Sequence, residues 1–345
     1  MKRILVLYKE LAGYFIACLD ELCTSYDAQA DVIAYPVNID APFEFKHSNR
    51  IQIFSRNTIT DEKLRDMISA ISYDLIFTGG WFDKGYLHAL RNRSCPALLG
   101  FDNAWEGNLK QQLAVLYGRF RIRPLFDFAF VPGSKQATFA SKLGFSDAQI
   151  VKGAYSCDVS RFSRVTKIKG SKQRLIYAGR YAPEKFILPL FEVFHELASS
   201  QYSNWELHCI GTGPLWQQRL QSAHITHHGF MQPDDLLAFM QTGDAFVLPS
   251  TFEPWGVVVH EFAAAGYPLV LSDAVGAAEA FLENQKNGFL FSAGNSADLK
   301  RALNQMLSAS SEELHAMGQL SRHLAATITP STWAKSLADR MKPHA

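Results

Sequence analysis

Cysteine is sparse in this 345-residue chain: Cys18, Cys23, Cys95, Cys157 and Cys209 are scattered and odd in number, with no Cys-x-x-Cys pair. That argues against a disulfide framework or a zinc site and fits a reducing cytoplasm. Long hydrophobic runs are missing too. No uncharged apolar stretch reaches the ~18 residues of a membrane span. The run after Met1-Lys2-Arg3 stops at Lys9 and Glu10, too short for a signal-peptide core, so a cytoplasmic location is expected. Charge of one sign is also lacking, with 34 basic against 33 acidic residues and a net charge of +1. Residues 1–165 hold 20 basic and 17 acidic side chains, and the remainder 14 and 16. Neither half has the positive field of a nucleic-acid binder, although the slight excess in the first is compatible with an anionic surface. Only 22 glycines and 14 prolines are present, which excludes collagenous and low-complexity readings.

What is present is an ordinary globular mixture, 48 % hydrophobic and 19 % charged, in a chain long enough for two domains. Short apolar strands are expected at residues 4–8, 31–35, 51–54, 74–78, 97–101 and 126–131. Helices are expected at 13–23 and from Asp61 to about Ile71, the latter capped by Thr60. Residues 159–173 are polar and basic and read as a linker. The pattern then restarts, with strands at 174–177, 205–210, 245–248 and 269–271. Helices are expected at 189–199, 215–222, 257–265 and 296–308. In 331–341, Trp333, Leu337 and Met341 recur every four residues, as in an amphipathic helix. Strand–helix alternation implies two α/β domains of parallel sheet, whose ligands bind beyond the carboxyl ends of the strands.

Three motifs fall in such loops. In the segment Thr251 to Gly266, Glu253 precedes a helix start at Gly256 and Val257, and Glu261 lies inside the helix. A helix N-terminus carries unpaired N–H groups and partial positive charge, which suit a phosphate, and carboxylates on either side suit sugar hydroxyls. In Tyr177 to Lys185, Gly179 permits a tight turn, and Arg180 and Lys185 put two cations in one loop, as a departing diphosphate requires. Gly211-Thr212-Gly213-Pro214 has Trp216 in place of the third glycine of a dinucleotide fingerprint and lies mid-chain, so it implies only close approach of backbone to a ligand.

Together with Glu184, Gly229-Phe230, Leu248-Pro249-Ser250, Val275-Gly276 and Asn287-Gly288, these residues resemble the retaining glycosyltransferases of family 4. The resemblance implies an α/β fold of two Rossmann-like domains facing across a cleft (GT-B), with a C-terminal helix crossing back to the first domain. The domains would span 1–160, plus about 329–345, and 170–328. It implies glycosyl transfer from a nucleotide-diphosphate sugar to an acceptor hydroxyl with retention, in polysaccharide or glycoconjugate assembly. No cofactor and no metal are implied. Arg180 and Lys185 would hold the diphosphate, Glu253 the donor sugar and Glu261 the ribose. Gly179, Gly211, Gly213, Trp255, Gly256 and Val257 would line the donor site, and Phe230 and Met231 the base.

The first half matches the family less closely. Its first loop has Gly13 alone where relatives carry a glycine-rich loop touching donor phosphate, which makes Gly13 the expected donor contact there with Lys9 as a nearby cation, and Asp102 stands near the place of a family histidine. Asp102 is read either as an acceptor-side or catalytic group or as a helix N-cap. Gly118-Arg119-Phe120-Arg121-Ile122-Arg123 alternates cations with apolar residues, a pattern suited to anionic lipid headgroups or a lipid-linked acceptor, or to an exposed edge. His227 and His228 are adjacent, so on a strand they face opposite ways and make no metal site. The competing readings are a sugar-nucleotide epimerase of the same fold, a catalytically inactive glycosyltransferase-like partner protein, and a nicotinamide oxidoreductase. The last lacks its glycine fingerprint after the first strand. The expected partners are a nucleotide-sugar donor and a saccharide or lipid-linked acceptor, with peripheral contact at the inner face of a membrane.

Overall fold

A computed structural model describes residues 1–36, 47–153, 155–168 and 170–342. The chain divides into two compact units, Met1–Ser156 with Thr329–Ala345, and Cys157–Ile328. Each is built on one parallel sheet, as expected where buried apolar strands alternate with helices.

In the first unit the strands are β1 (Lys2–Tyr8), β2 (Ala28–Ala34), β3 (Ile51–Ser55), β4 (Leu75–Gly79), β5 (Ala97–Gly100), β6 (Phe128–Val131) and β7 (Ile150–Lys152). Their spatial order is β3-β2-β1-β4-β5-β6-β7, all parallel. In the second unit they are β8 (Gln173–Ala178), β9 (Trp205–Ile210), β10 (Ile225–Gly229), β11 (Ala245–Leu248), β12 (Leu269–Ser272) and β13 (Gly288–Phe291). Their order is β10-β9-β8-β11-β12-β13. Chain direction across each sheet therefore reverses once, between β1 and β4 and between β8 and β11. At such a switch the loops leaving the two strands diverge and open a crevice at their carboxyl ends.

Thr60 caps the helix Asp61–Ala70 by accepting from the Lys63 N–H at 3.2 Å. The helix Pro330–Ala338 belongs to the first unit. It is held there by Trp333, which is buried with its ring 5.6 Å from Phe15, 6.2 Å from Phe77 and 5.9 Å from Phe130.

Two elements differ from expectation. The helix expected over 215–222 is only a turn at Trp216–Gln218. The Leu215 N–H donates to the Tyr181 carbonyl at 2.8 Å, and the Arg219 guanidinium lies 4.4 Å over the Trp216 ring and donates to the Trp216 carbonyl. These ties outweigh a helical preference, with β10 beginning only a few residues on. The alternating segment at 118–123, expected as a lipid-facing stretch or an exposed strand or helix edge, is the end of a helix, Leu109–Arg121, capped by Asn108. The stretch read as a linker carries a short helix, Val159–Phe162, with Phe162 buried. Residue 169 of that stretch, and residues 343–345 of the expected terminal helix, lie outside the described residues.

Candidate functional site

The loop leaving β8 is shaped by Tyr177, whose buried hydroxyl donates to the Arg180 carbonyl at 2.7 Å. The Tyr181 N–H donates to the Thr212 carbonyl at 2.9 Å, which fastens this loop to the one leaving β9. Gly211 makes that approach feasible: its φ is 127°, and a Cβ there would lie 2.0 Å from the Gly179 carbonyl oxygen. Gly211 N–H in turn donates to Gly229 at 2.7 Å, so Gly179, Gly211, Gly213 and the Phe230–Met231 loop share the carboxyl edge of β8, β9 and β10.

The loop leaving β11 comes from the other side of the switch. Thr251 anchors it, its N–H donating to the Glu184 carbonyl at 2.8 Å and its hydroxyl to the same oxygen at 3.2 Å. Glu253 pairs with Val275 in a parallel bridge, and its carbonyl accepts from the Gly276 N–H at 3.0 Å. The Glu253 carboxylate thereby faces the loop leaving β8, where Lys185 forms an ion pair with its Oε2. Both side chains are 14 % exposed, which shields the pair from water while leaving it reachable. The Ser250 hydroxyl stands 3.5 Å from the same oxygen.

The helix Val257–Ala264 starts immediately afterwards. Gly256 is its N-cap with φ 92°, left-handed backbone that a side chain would strain, and no side chain caps the end. The N–H groups of Val257 and Val258 are thus available to an acceptor from outside, while that of Val259 donates to the Gly256 carbonyl at 3.0 Å. Three residues inward from Val257, the buried His260 fixes the helix. Its Nδ1 accepts from the Cys157 N–H at 3.2 Å and its Nε2–H donates to the Ala325 carbonyl at 2.9 Å. Burial pulls His260 down to about 4, so it stays neutral.

Glu261 follows on the same helix, and among the described residues its carboxylate has no hydrogen-bond or ion-pair partner. Burial pushes it up to about 7, against the opposing pull of the Arg161 charge. A carboxyl held this way, near a helix start, is suited to ligand hydroxyls.

Several expected residues are placed differently. Arg180 is 61 % exposed and pairs with Glu184 at 2.8 Å, so of the two cations only Lys185 meets Glu253. Trp255 is buried against Phe281, with ring centroids 6.4 Å apart, and what it gives the loop is its carbonyl, which accepts from Ala277 at 2.8 Å. Its indole packs the core. In the first unit, Gly13 opens the helix Gly13–Ser25, which also lacks a side-chain cap, and Lys9 lies 5.8 Å over the Phe82 ring. Asp102 is in the loop leaving β5. The cap of the next helix is Asn108, so Asp102 is not its N-cap. Its charge helps raise the buried Tyr8 and Tyr155 hydroxyls, after burial itself.

His227 bonds Tyr181 and the Leu220 carbonyl, while His228 turns the other way to His208 at 2.9 Å. Among the described residues no group of three His, Cys, Asp or Glu side chains is arranged to hold a metal ion.

Sequence reasoning missed Ser250 as a partner of Glu253, and it missed the staple from Glu184 to Thr251. Backbone acceptors of that kind leave no residue-type signal.

Residues 158–324 match the family model for glycosyl transferases of group 1, which is nearly all of the second unit. The sulfoquinovosyl transferase of Arabidopsis thaliana is 31 % identical over 149 residues, 42 % of this chain and 28 % of that protein. The alpha-monoglucosyldiacylglycerol synthase of Acholeplasma laidlawii is 34 % identical over 124 residues, 34 % of this chain and 30 % of that protein. The chain thus matches less than a third of the length of these relatives. In fold, it is similar to an Anabaena protein crystallised in complex with UDP and glucose. The TM-score is 0.74 at 15 % identity, over 98 % of this chain and 99 % of that one. Two Rossmann-like units in the GT-B arrangement of strands account for that likeness.

Proposed function

We propose, from the premise that residues 158–324 belong to the glycosyl transferases of group 1, that this chain moves a hexosyl group from a nucleotide-diphosphate sugar to an acceptor hydroxyl with retention. The observation that carries the reading is the Lys185–Glu253 pair at the β8/β11 switch, beside the uncapped start of the helix bearing Glu261. The relatives named above, one a transferase and one a synthase of a glucosylated lipid, and the neighbour crystallised with UDP and glucose, support this donor class.

In the free protein Lys185 and Glu253 neutralise each other. An entering diphosphate competes for the ammonium and for the N–H groups at Gly256 and Val257, and this releases the Glu253 carboxylate toward a sugar hydroxyl. The anomeric C–O bond then breaks with its electron pair going to the nucleoside diphosphate. The acceptor oxygen attacks the same face, and its proton passes to the departing phosphate oxygen. Charge grows on the leaving group, so Lys185 and the helix amides stabilise the transition state more than the ground state. Arg180 adds its charge from the rim of the loop. The Glu261 carboxyl takes the ribose hydroxyls, and Phe230 and Met231 lie at the edge strand where the base would rest. These groups supply the positive charge of the site without a metal or other cofactor. The acceptor is a saccharide or lipid-linked hydroxyl, with Asp102 of the first unit as its candidate contact. Glycoconjugate assembly at the cytoplasmic side is the setting that fits.

Incubation with a panel of sugar nucleotides tests this. Slow release of nucleoside diphosphate from one donor is the expected result. An isomerised sugar nucleotide would assign an epimerase, and binding without turnover a non-catalytic partner protein.

A further inference from the structure

The helix Leu109–Arg121 of the first unit leaves an apolar face uncovered. Leu109, Leu113, Leu116, Tyr117 and Phe120 are 59–78 % exposed, and they are five of the eleven large apolar side chains that stand exposed among the described residues. Their spacing of three and four places them on one stripe. The opposite face is the one packed: Gly118 is buried against Leu143, and Val115 packs on the core of the unit.

The charges around the stripe are all of one sign. At 100° per residue, Lys110 and Arg121 flank it on one side and Arg119 on the other. All three are exposed, and among the described residues none of their side chains forms a hydrogen bond or ion pair. Arg123, just beyond, is tied instead to Gln149 and to the Phe126 and Gly144 carbonyls. No acidic residue occurs between Glu106 and Asp127.

We infer that this helix is a docking surface for an anionic lipid bilayer, lying in the plane of the interface with its apolar stripe among the acyl chains and its cations at the headgroups. Charge complementarity selects this occupant. A second copy of the chain would bring the same cations face to face without a carboxylate between them, which repels. A helix of 13 residues extends about 20 Å, too short to span a bilayer but suited to lying on one. An apolar stripe bordered by free cations is the pattern of an interfacial helix. The inference is independent of the glycosyl-transfer reading, because its readout is binding.

The test is co-sedimentation of the full chain with vesicles of phosphatidylglycerol and phosphatidylcholine, beside vesicles of phosphatidylcholine alone. Binding to the anionic vesicles is expected, weakened by added salt, with a loss of about tenfold or more for Leu113→Ser/Phe120→Ser. Lys110→Glu/Arg121→Glu should lose at least about tenfold, at roughly fivefold per cation removed. All these side chains are exposed, so the variants should keep the wild-type melting temperature, and donor turnover in solution should be unchanged. Equal binding of variants and wild type, binding that ignores lipid charge, or no binding at all would overturn the inference. So would a dimer in solution that Leu113→Ser/Phe120→Ser dissolves.

Discussion

Lys185 and Arg180, five positions apart in one loop, are predicted to differ in weight. Lys185 is largely shielded and touches Glu253, whereas Arg180 stands in solvent beside Glu184. Solvent screens an exposed cation, so Arg180→Ala should lower turnover by about tenfold and Lys185→Ala by a hundredfold or more. Steady-state kinetics with matched melting curves measures this, and equal losses would contradict it. Glu261 gives a second prediction. Its carboxyl is raised from 4.5 to about 7 by burial. The native state therefore keeps a proton that the unfolded chain releases. That contribution to stability is complete below about pH 4.5 and is lost as pH rises through about 7. Between roughly pH 5 and pH 8 the wild type should lose about 2 kcal/mol relative to Glu261→Gln, after allowance for partial exposure. Parallel melting profiles for the two would refute the assignment.

At the level of elements, the helix Val257–Ala264 is positioned by what lies outside it. His260 clamps it to Ala325 and to Cys157, and stacks on Phe281 at 4.3 Å. His260→Ala would leave a cavity and an unpaired N–H, and should cost about 2–4 kcal/mol in denaturant unfolding. A loss under about 0.5 kcal/mol would mean the clamp is not structural. The strands were legible because buried parallel strands are short apolar runs ending in turn residues, as at Ile4–Tyr8 and Ala245–Leu248. Thr60 and the start at Gly256 were legible for the same local reason. The helix Leu109–Arg121 was not, because its apolar stripe has no core to face and its cations interrupt the pattern. The turn at Trp216–Gln218 was misread because contacts with Tyr181, distant in sequence, decide it. Within the site, Glu253 and Lys185 could be chosen by residue type, but their pairing arises from the crossing of strand order at β8 and β11.

Across the whole molecule, the chain leaves the first unit after Ser156 and returns to it at Thr329. Trp333 secures that return among Phe15, Phe77 and Phe130, and its Nε1–H donates to no acceptor among the described residues. Trp333→Ala should therefore destabilise the first unit by about 3–5 kcal/mol, whereas Trp333→Phe, which gives up no hydrogen bond, should cost far less. Unfolding curves that rank the two equally would contradict this packing role. The central claim is that one pocket, formed by Lys185, Glu253 and the start of the helix bearing Glu261, binds and activates a sugar nucleotide. The most direct test is to quantify free nucleoside diphosphate from the full chain incubated with a donor panel, in parallel with Lys185→Ala and Glu253→Gln. Release from a single donor by the wild type, reduced a hundredfold or more in both variants while their melting curves stay cooperative, is the predicted result. Undiminished release by the variants would contradict it.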